Sequence, residues 1–504
     1  MSEDRDRPAH TPSTAGSNTR SSALPHEDLV HHFARFAAGV QYDQLPTDAA
    51  ETAKKSIADT LGVIMAASGL EPAVRPVIDL VRESAGTPEA TVLAFGGRVP
   101  ADQAAFANGA MAHCLDFDDQ TPWGQHAGSS IVPAVLAVAE RRGGVAGRDL
   151  IAAVAAGQDL FARLRRNVAW RKDWNLSTVM GVFAATAAAG RVLSLSPVQL
   201  ANALGIASMQ CSGVMEVVAG PGSDLRGVYA GFSARGAVVA TLLAAKGLRG
   251  VRRLFEGPYG FFATYFPDGH DREAMLAGLG TEFTGSGTLY KPWPSVGTSH
   301  SHIQATLQLV AEHRLAVSDI AEIRCSVGDY HALMCTPLDE RRSPTTLTDA
   351  RFSLPFLVAV AAVHGRVGLA DFSPAGLADP QVLAVARRVV PVPDASLNWT
   401  LELPPGRVEL VTTDGRTYSR TGSAVPGTAE APLTWPDVLR KFEDCVAVSV
   451  DPLPAREVAA LAQRLRRLEH SPDVTEIVRT LGGRSIAIAA HRSLPTTTQE
   501  GHLG

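Results

Sequence analysis

The hydrophobic pattern predicts a mainly α protein, with a large all-helical domain carrying a smaller α+β lid domain. Three observations lead to this class. Ala, Leu, Val and Gly fill long helical windows between His26 and Gly269, β-branched alternation appears beyond Gly285, and amphipathic helical windows return after Pro432. A repeat near 3.6 buries one stripe of a helix, whereas a repeat of two buries one face of a strand, so each switch of period marks a change of architecture. A chain of 504 residues also exceeds what one core sustains.

The helical windows are Asp48–Ala67, Ala101–His113, Ser130–Arg142, Arg148–Arg166, Thr178–Leu193, Pro197–Val218 and Leu225–Gly247. Their many small residues let helix backbones approach closely in one compact bundle. In the second unit, strands are expected at Ile320–Val327 and Val408–Arg420, the latter split by the hairpin signal Asp414-Gly415. Helical windows at His300–His313 and Leu354–His364 lie between them. The later windows, Trp435–Phe442 and Pro454–Leu468, are placed back on the first domain, with Arg464, Arg466 and Arg467 on a wet face opposite Leu461, Leu465 and Leu468. The resulting division is a disordered leader over 1–26, a discontinuous helical domain over 27–288 plus 429–485, the lid over 289–428, and a flexible tail over 486–504.

A net charge of -5 with no strong concentration of Lys and Arg argues against nucleic-acid or membrane partners. The five cysteines, Cys114, Cys211, Cys325, Cys335 and Cys445, form no CxxC pair, which fits a reduced cytoplasmic protein. The polar leader has no apolar run of signal-peptide type. Val192–Met215, the longest uncharged stretch, is interrupted by polar residues and reads as a buried helix pair rather than a membrane span.

Three clusters carry candidate chemistry. The first is His113 to Gln120, with Asp116, Asp118 and Asp119, followed by His126 just before a helix start. Neighbouring carboxylates raise one another's pKa unless cations or donors compensate, one route to a general acid or base. The bland alternative is helix capping by aspartate. The second cluster holds Lys291 between aromatics and prolines, a rigid way to present a cation, and then His300 and His302, to which no metal is assigned. The third opens a helix with Asp224 and Arg226, where a guanidinium can grip a carboxylate by two parallel bonds. No GxGxxG after a strand, Walker loop, GxSxG or HExxH occurs, so no cofactor is assigned and side chains are left with the chemistry. Proton abstraction beside a carboxylate, elimination of water and decarboxylation are reactions that such groups perform.

Taken in order, these pieces resemble the MmgE/PrpD family. The resemblance is carried by Asp59-Thr60-Leu61-Gly62, Asn108-Gly109-Ala110, Leu115 to Asp119, His126, Gly157 to Arg163, Leu204 to Ala207, Leu225-Arg226-Gly227, Ala244 to Gly247, Lys291-Pro292-Trp293-Pro294 and Ala350 to Phe356. It implies a helical domain with an α+β lid, a site between them, and a homodimer. It further implies His126, Asp116 and Lys291 as catalytic residues, and Arg226, Asn175, Gln120, Tyr330 and Tyr229 as substrate-binding ones. The chain departs from the pattern of decarboxylase-like members. Gln120 stands for a Thr, Asn175 for a His, Arg226 for a Lys, and Tyr229 for a second His. The implied activity is a cofactor-independent lyase of a small di- or tricarboxylic acid, dehydrating a 2-methylcitrate-like acid or decarboxylating an aconitate-like one. An isomerase or epimerase using the same proton abstraction is the first alternative, and a non-catalytic carboxylate-binding or scaffold protein the second.

Overall fold

The computed structural model describes residues 26–220 and 222–483, so the expected leader (except His26) and tail lie outside the described residues. The helical part comprises α1 (Leu29–Gly39), α2 (Thr47–Leu70), α3 (Val74–Glu83), α4 (Ala101–His113), α5 (Gly128–Arg142), α6 (Gly147–Arg166), α7 (Leu176–Val192), α8 (Pro197–Ala207) and α9 (Leu225–Ala245). A short ribbon, β1 (Ala90–Thr91) with β2 (Arg98–Val99), lies between α3 and α4. One hydrophobic core runs from Leu29 to Phe283 and takes in Val438 to Leu481.

The crossing of α4 and α9 positions the site. A Cβ on Gly231 would lie 2.5 Å from the Phe106 carbonyl, and one on Gly109 would lie 2.8 Å from the Gly231 Cα. Glycine at both positions therefore permits the approach that brings the end of α4, with His113, beside the start of α9, with Arg226. Among the described residues α9 is the one helix that by itself is long and apolar enough to cross a membrane, although two thirds (67%) of its apolar window is buried inside the protein.

The second part contains α10 (His300–His313), α11 (Leu354–His364) and a four-stranded mixed sheet of β3 (Ile320–Val327), β4 (Val389–Pro393), β5 (Arg407–Thr412) and β6 (Thr417–Thr421). The sheet order is β4-β3-β5-β6, with β3 parallel to β4 and the other pairings antiparallel. Its hydrophobic core spans Trp293 to Val425 and includes Val218 from the helical part. Three last helices, α12 (Trp435–Ala447), α13 (Ala455–Arg466) and α14 (Thr475–Leu481), return to the first core. There Leu461, Leu465 and Leu468 are buried.

Two local expectations are corrected. The window Pro197–Val218 is not one helix: α8 ends at Ala207, and a 3-10 turn over Ser208–Gln210 follows. The chain leaves the helix because Gly213 accepts the Asn175 N–H (2.9 Å) and Cys211 donates to the Val179 carbonyl, which pulls the segment across the entry to α7. The uncharged stretch Val192–Met215 is accordingly one helix plus irregular backbone rather than a helix pair. The parallel strand β4 is not anticipated, because its sequence Val-Val-Pro-Val-Pro carries two prolines; it sits at the sheet edge, where a missing N–H is tolerated.

Candidate active site

Between α4 and α5 the chain forms a buried loop in which three aspartates acquire three different environments. Asp116 has φ +49°, a left-handed backbone that Asp tolerates better than most residues. That turn is closed by its N–H donating to the His113 carbonyl at 2.8 Å. Its carboxylate is the hub of the site. Lys291 Nζ donates to Oδ1 and, at 3.0 Å, to the Asp116 carbonyl; Arg226 Nη2 donates to Oδ2 at 3.0 Å; His126 Nε2 stands 3.8 Å from Oδ1. Burial pushes the Asp116 carboxyl up, but Lys291 and Arg226 outweigh it and hold the group well below the ordinary carboxylate range.

Asp118 serves the histidines. His113 Nδ1 lies 3.0 Å from its Oδ1, and His126 Nδ1 lies 3.3 Å from its Oδ2. Burial again opposes ionisation, yet the two rings keep this carboxyl low. Asp119 differs because no cation reaches it. Burial, against a weaker lowering by Ser56, raises it to about 7, with Asp59 and Asp118 adding to the rise. Its Oδ1 accepts the Gly128 N–H at the start of α5 (3.0 Å), so that helix-terminal amide is satisfied by the protein's own carboxylate.

His126 Nδ1 also lies 2.8 Å from the Asp119 carbonyl oxygen. A carbonyl can only accept, so Nδ1 carries the proton, and the neutral ring presents a bare lone pair at Nε2. Burial keeps the ring neutral, lowering its pKa below 6.5 despite Asp118. Asp118 and the Asp119 carbonyl orient His126. His113, Asp118 and His126 also lie close enough to share a cation, but the carbonyl bond removes His126 Nδ1 from that ligand set.

A cavity with room for about 40 Å³ of solvent is lined by His113, His126, Asn175, Arg226, Tyr229 and Tyr330 on its polar side. Asn175 caps α7 by accepting the Ser177 N–H at 3.1 Å, while its buried Nδ2 has no partner. Arg226 lies 3.5 Å above the Phe352 ring, and Tyr330 also hydrogen-bonds to it. The Tyr229 ring lies 4.3 Å from His113, and burial raises its hydroxyl pKa.

Two of the proposed site residues stand elsewhere. Gln120 is bridged to Leu289 and lines a separate cavity of about 320 Å³, and Lys291 lines that same cavity. Lys291 acts on Asp116 rather than facing the His126 cavity. Gly297 fixes this wall, since a Cβ there would come within 2.1 Å of Gln120 Oε1. Sequence reasoning placed His113 and Asp118 in the first cluster without a role, because the contact between the two rings and the carboxylate is made only by the folded loop. It missed Lys441 of α12, which pairs with Asp59 (2.7 Å) and donates to the Phe117 and Lys291 carbonyls at 2.6 and 3.0 Å, tying the loop to the Lys291 segment.

Two family models match the chain, the MmgE/PrpD N-terminal domain over residues 31–273 and the MmgE/PrpD C-terminal domain over 293–467. The chain belongs to the MmgE/PrpD family. Similar proteins include cis-aconitate decarboxylase of Aspergillus terreus, 26% identical across 94% of this chain and 98% of the relative. Another is a cis-aconitate decarboxylase-like protein, oryM, of Aspergillus oryzae, 24% identical across 92% and 99%. A third, 2-methylcitrate dehydratase of Cupriavidus necator, is 25% identical across 73% and 77%. In this MmgE/PrpD member His126, Asp116 and Lys291 form one connected group, with Arg226 bound to the same carboxylate.

Proposed function

We propose that this protein is a lyase that removes water or carbon dioxide from a small carboxylic acid, with His126 Nε2 as the proton carrier. The observation that carries the reading is the 2.8 Å contact between His126 Nδ1 and the Asp119 carbonyl, which fixes the tautomer and leaves Nε2 basic in the same cavity as Arg226. Arg226 binds a substrate carboxylate next to the carbon that loses its proton or its carboxyl group. Phe352 beneath the guanidinium and Tyr330 beside it hold that cation in place. Lys291 neutralises Asp116 so that a second anion can approach. Asn175 Nδ2 supplies a neutral donor at the other end. The relatives' names, decarboxylase and dehydratase, support both outcomes of one chemistry, because each reaction passes through negative charge beside a carboxylate. Incubation with a panel of di- and tricarboxylates, read by mass, tests this. Loss of 18 or 44 mass units from one acid, abolished in a His126→Ala variant, supports the lyase; a panel without such loss refutes it.

Isomerisation is the second reading, favoured by His113. Its ring stands 4.6 Å from His126 in the same cavity, so a proton removed by one ring can return from the other. Solvent deuterium entering substrate without loss of mass units identifies that outcome.

We further propose a reduced cytoplasmic protein, supported by five unpaired buried cysteines, and a homodimer. An exposed stripe on α9, Leu225, Phe232 and Leu243 (54%, 51% and 37% exposed), gives a second copy an apolar surface to cover. Light scattering of wild type and Phe232→Glu tests the dimer.

A further inference from the structure

We propose that the preferred substrate carries one or two carboxylates and an apolar alkyl or aryl group, in place of the three carboxylates of an aconitate or a methylcitrate. The inference rests on the lyase reading and names the substrate class for that site.

The cavity beside His126 has one permanent cation on its wall, Arg226. Lys291 is 1% exposed, spends its ammonium on Asp116, and faces the other cavity. Lys291 and Arg226 both bind Asp116, while Asp118 is paired with the His113 and His126 rings, so Lys291 is taken up before any substrate enters and Arg226 is the one permanent cation on the cavity wall left to meet a carboxylate. His126 is neutral. Each substrate carboxylate beyond the one that Arg226 grips and the one that Asn175 can meet would be a buried charge without a counterion, a costly arrangement.

The neutral side of the cavity agrees. Leu176, Met215, Val218, Val296, Trp399 and Leu403 line it, together with the half-buried Trp170. Trp399 is packed edge-on against both Trp170 and Tyr330, at 5.4 and 4.6 Å, forming a rigid aromatic corner. Such a surface stabilises an alkyl or aryl group by removing it from water and offers nothing to a carboxylate. Asn175 and Tyr229 add no charge on the polar side of the cavity. One is an amide and the other a phenol that burial keeps neutral.

The test compares benzylmalate and isopropylmalate with cis-aconitate and 2-methylcitrate on the full chain. Calorimetry gives binding, and mass detection gives kcat/KM. At least one apolar acid is expected to bind about tenfold or more tighter than either tricarboxylate, the worth of one to two buried methylenes. Trp399→Ala is expected to lose that advantage while changing tricarboxylate affinity less than about threefold, and Asn175→His to move the ratio about tenfold toward tricarboxylates, the scale of one added charge contact. If Asn175→His does not fold, the wild-type ratio and the Trp399→Ala variant decide. Tricarboxylates binding as tightly as both apolar acids, or no acid binding at all, overturns the substrate class. Tricarboxylate turnover in the first case leaves the lyase standing. The expected binding order without turnover of any acid sinks the lyase reading and keeps the class.

Discussion

Replacing Asp116 by Asn removes one charge and little volume, and Asn accepts the left-handed φ of +49° at that position. Lys291, 1% exposed, would keep only the Asp116 carbonyl at 3.0 Å, and Arg226 would keep its stacking on Phe352 and a 3.4 Å contact to the Val218 carbonyl. Breaking a buried ion pair from one side costs about 3–5 kcal/mol. Arg226, with 12% of its side chain exposed, adds less. At about 2 cal/mol/K of unfolding entropy per residue, a chain of 504 residues shifts by roughly 1 °C per kcal/mol, so Tm falls by about 3–5 °C. The pH dependence has a definite sign. The folded-state pKa of Asp116 is depressed, so its stabilisation is complete above the unfolded value of about 3.9 and is lost as pH falls through the folded value. The gap between wild type and Asp116→Asn is therefore constant from about pH 5 upward and closes in stronger acid. Thermal melts followed by circular dichroism between pH 3 and 8 measure it. A further Lys291→Met change is expected to recover much of the loss, because no buried ion then lacks a partner. A Tm within about 2 °C of wild type at pH 7 would refute the hub assigned to Asp116.

His126→Gln is expected to lower kcat by roughly two to four orders of magnitude while leaving the melt intact, measured by steady-state kinetics on the acid that the panel identifies. Because burial holds His126 neutral, kcat/KM should rise with pH through a folded-state pKa below 6.5 and be lost in acid; a rate independent of pH between 4 and 8 would contradict a histidine base. Asp119 has the opposite linkage. Its folded pKa is raised to about 7, so the cost of ionising it grows as pH climbs from its unfolded value to 7, and Asp119→Asn is expected to gain Tm at pH 8 relative to pH 4 in parallel melts. Lys441→Met leaves Asp59 buried without its cation and is expected to cost about 3–5 kcal/mol in denaturant melts, much of it regained on adding Asp59→Asn.

The helical body was legible because its signal is local. The windows Ala101–His113 and His300–His313 coincide with α4 and α10, since apolar residues at helical spacing need only one apolar neighbour to be buried. What was lost depends on contacts far along the chain. The break after Ala207 is set by the Asn175 N–H donating to the Gly213 carbonyl, and β4 exists because β3 is beside it. The site divides the same way. Asp116, His126, Asn175, Arg226 and Lys291 were legible as residue types in clusters, but the sequence does not say that Lys291 faces Asp116 rather than the cavity. Nor does it say that Gln120 turns to the other side of Gly297. Those facts belong to the placement of the Lys291 segment.

That placement also explains why three adjacent aspartates differ. Asp116 meets cations from two other segments, Lys291 and Arg226; Asp118 meets two rings from its own loop; Asp119 meets an amide and a serine and is left without a cation. The Lys291 half of the hub, like Tyr330 and Phe352 that hold Arg226, comes from the segment that also carries Trp399. Gly124 of the aspartate loop lies so near that a Cβ there would meet the Trp399 ring at 2.7 Å. The same segment therefore lines the His126 cavity with Trp399 and, through Lys291, Tyr330 and Phe352, holds Asp116 ionised and Arg226 aimed into it, so the apolar wall and the charge pattern of the site are set together.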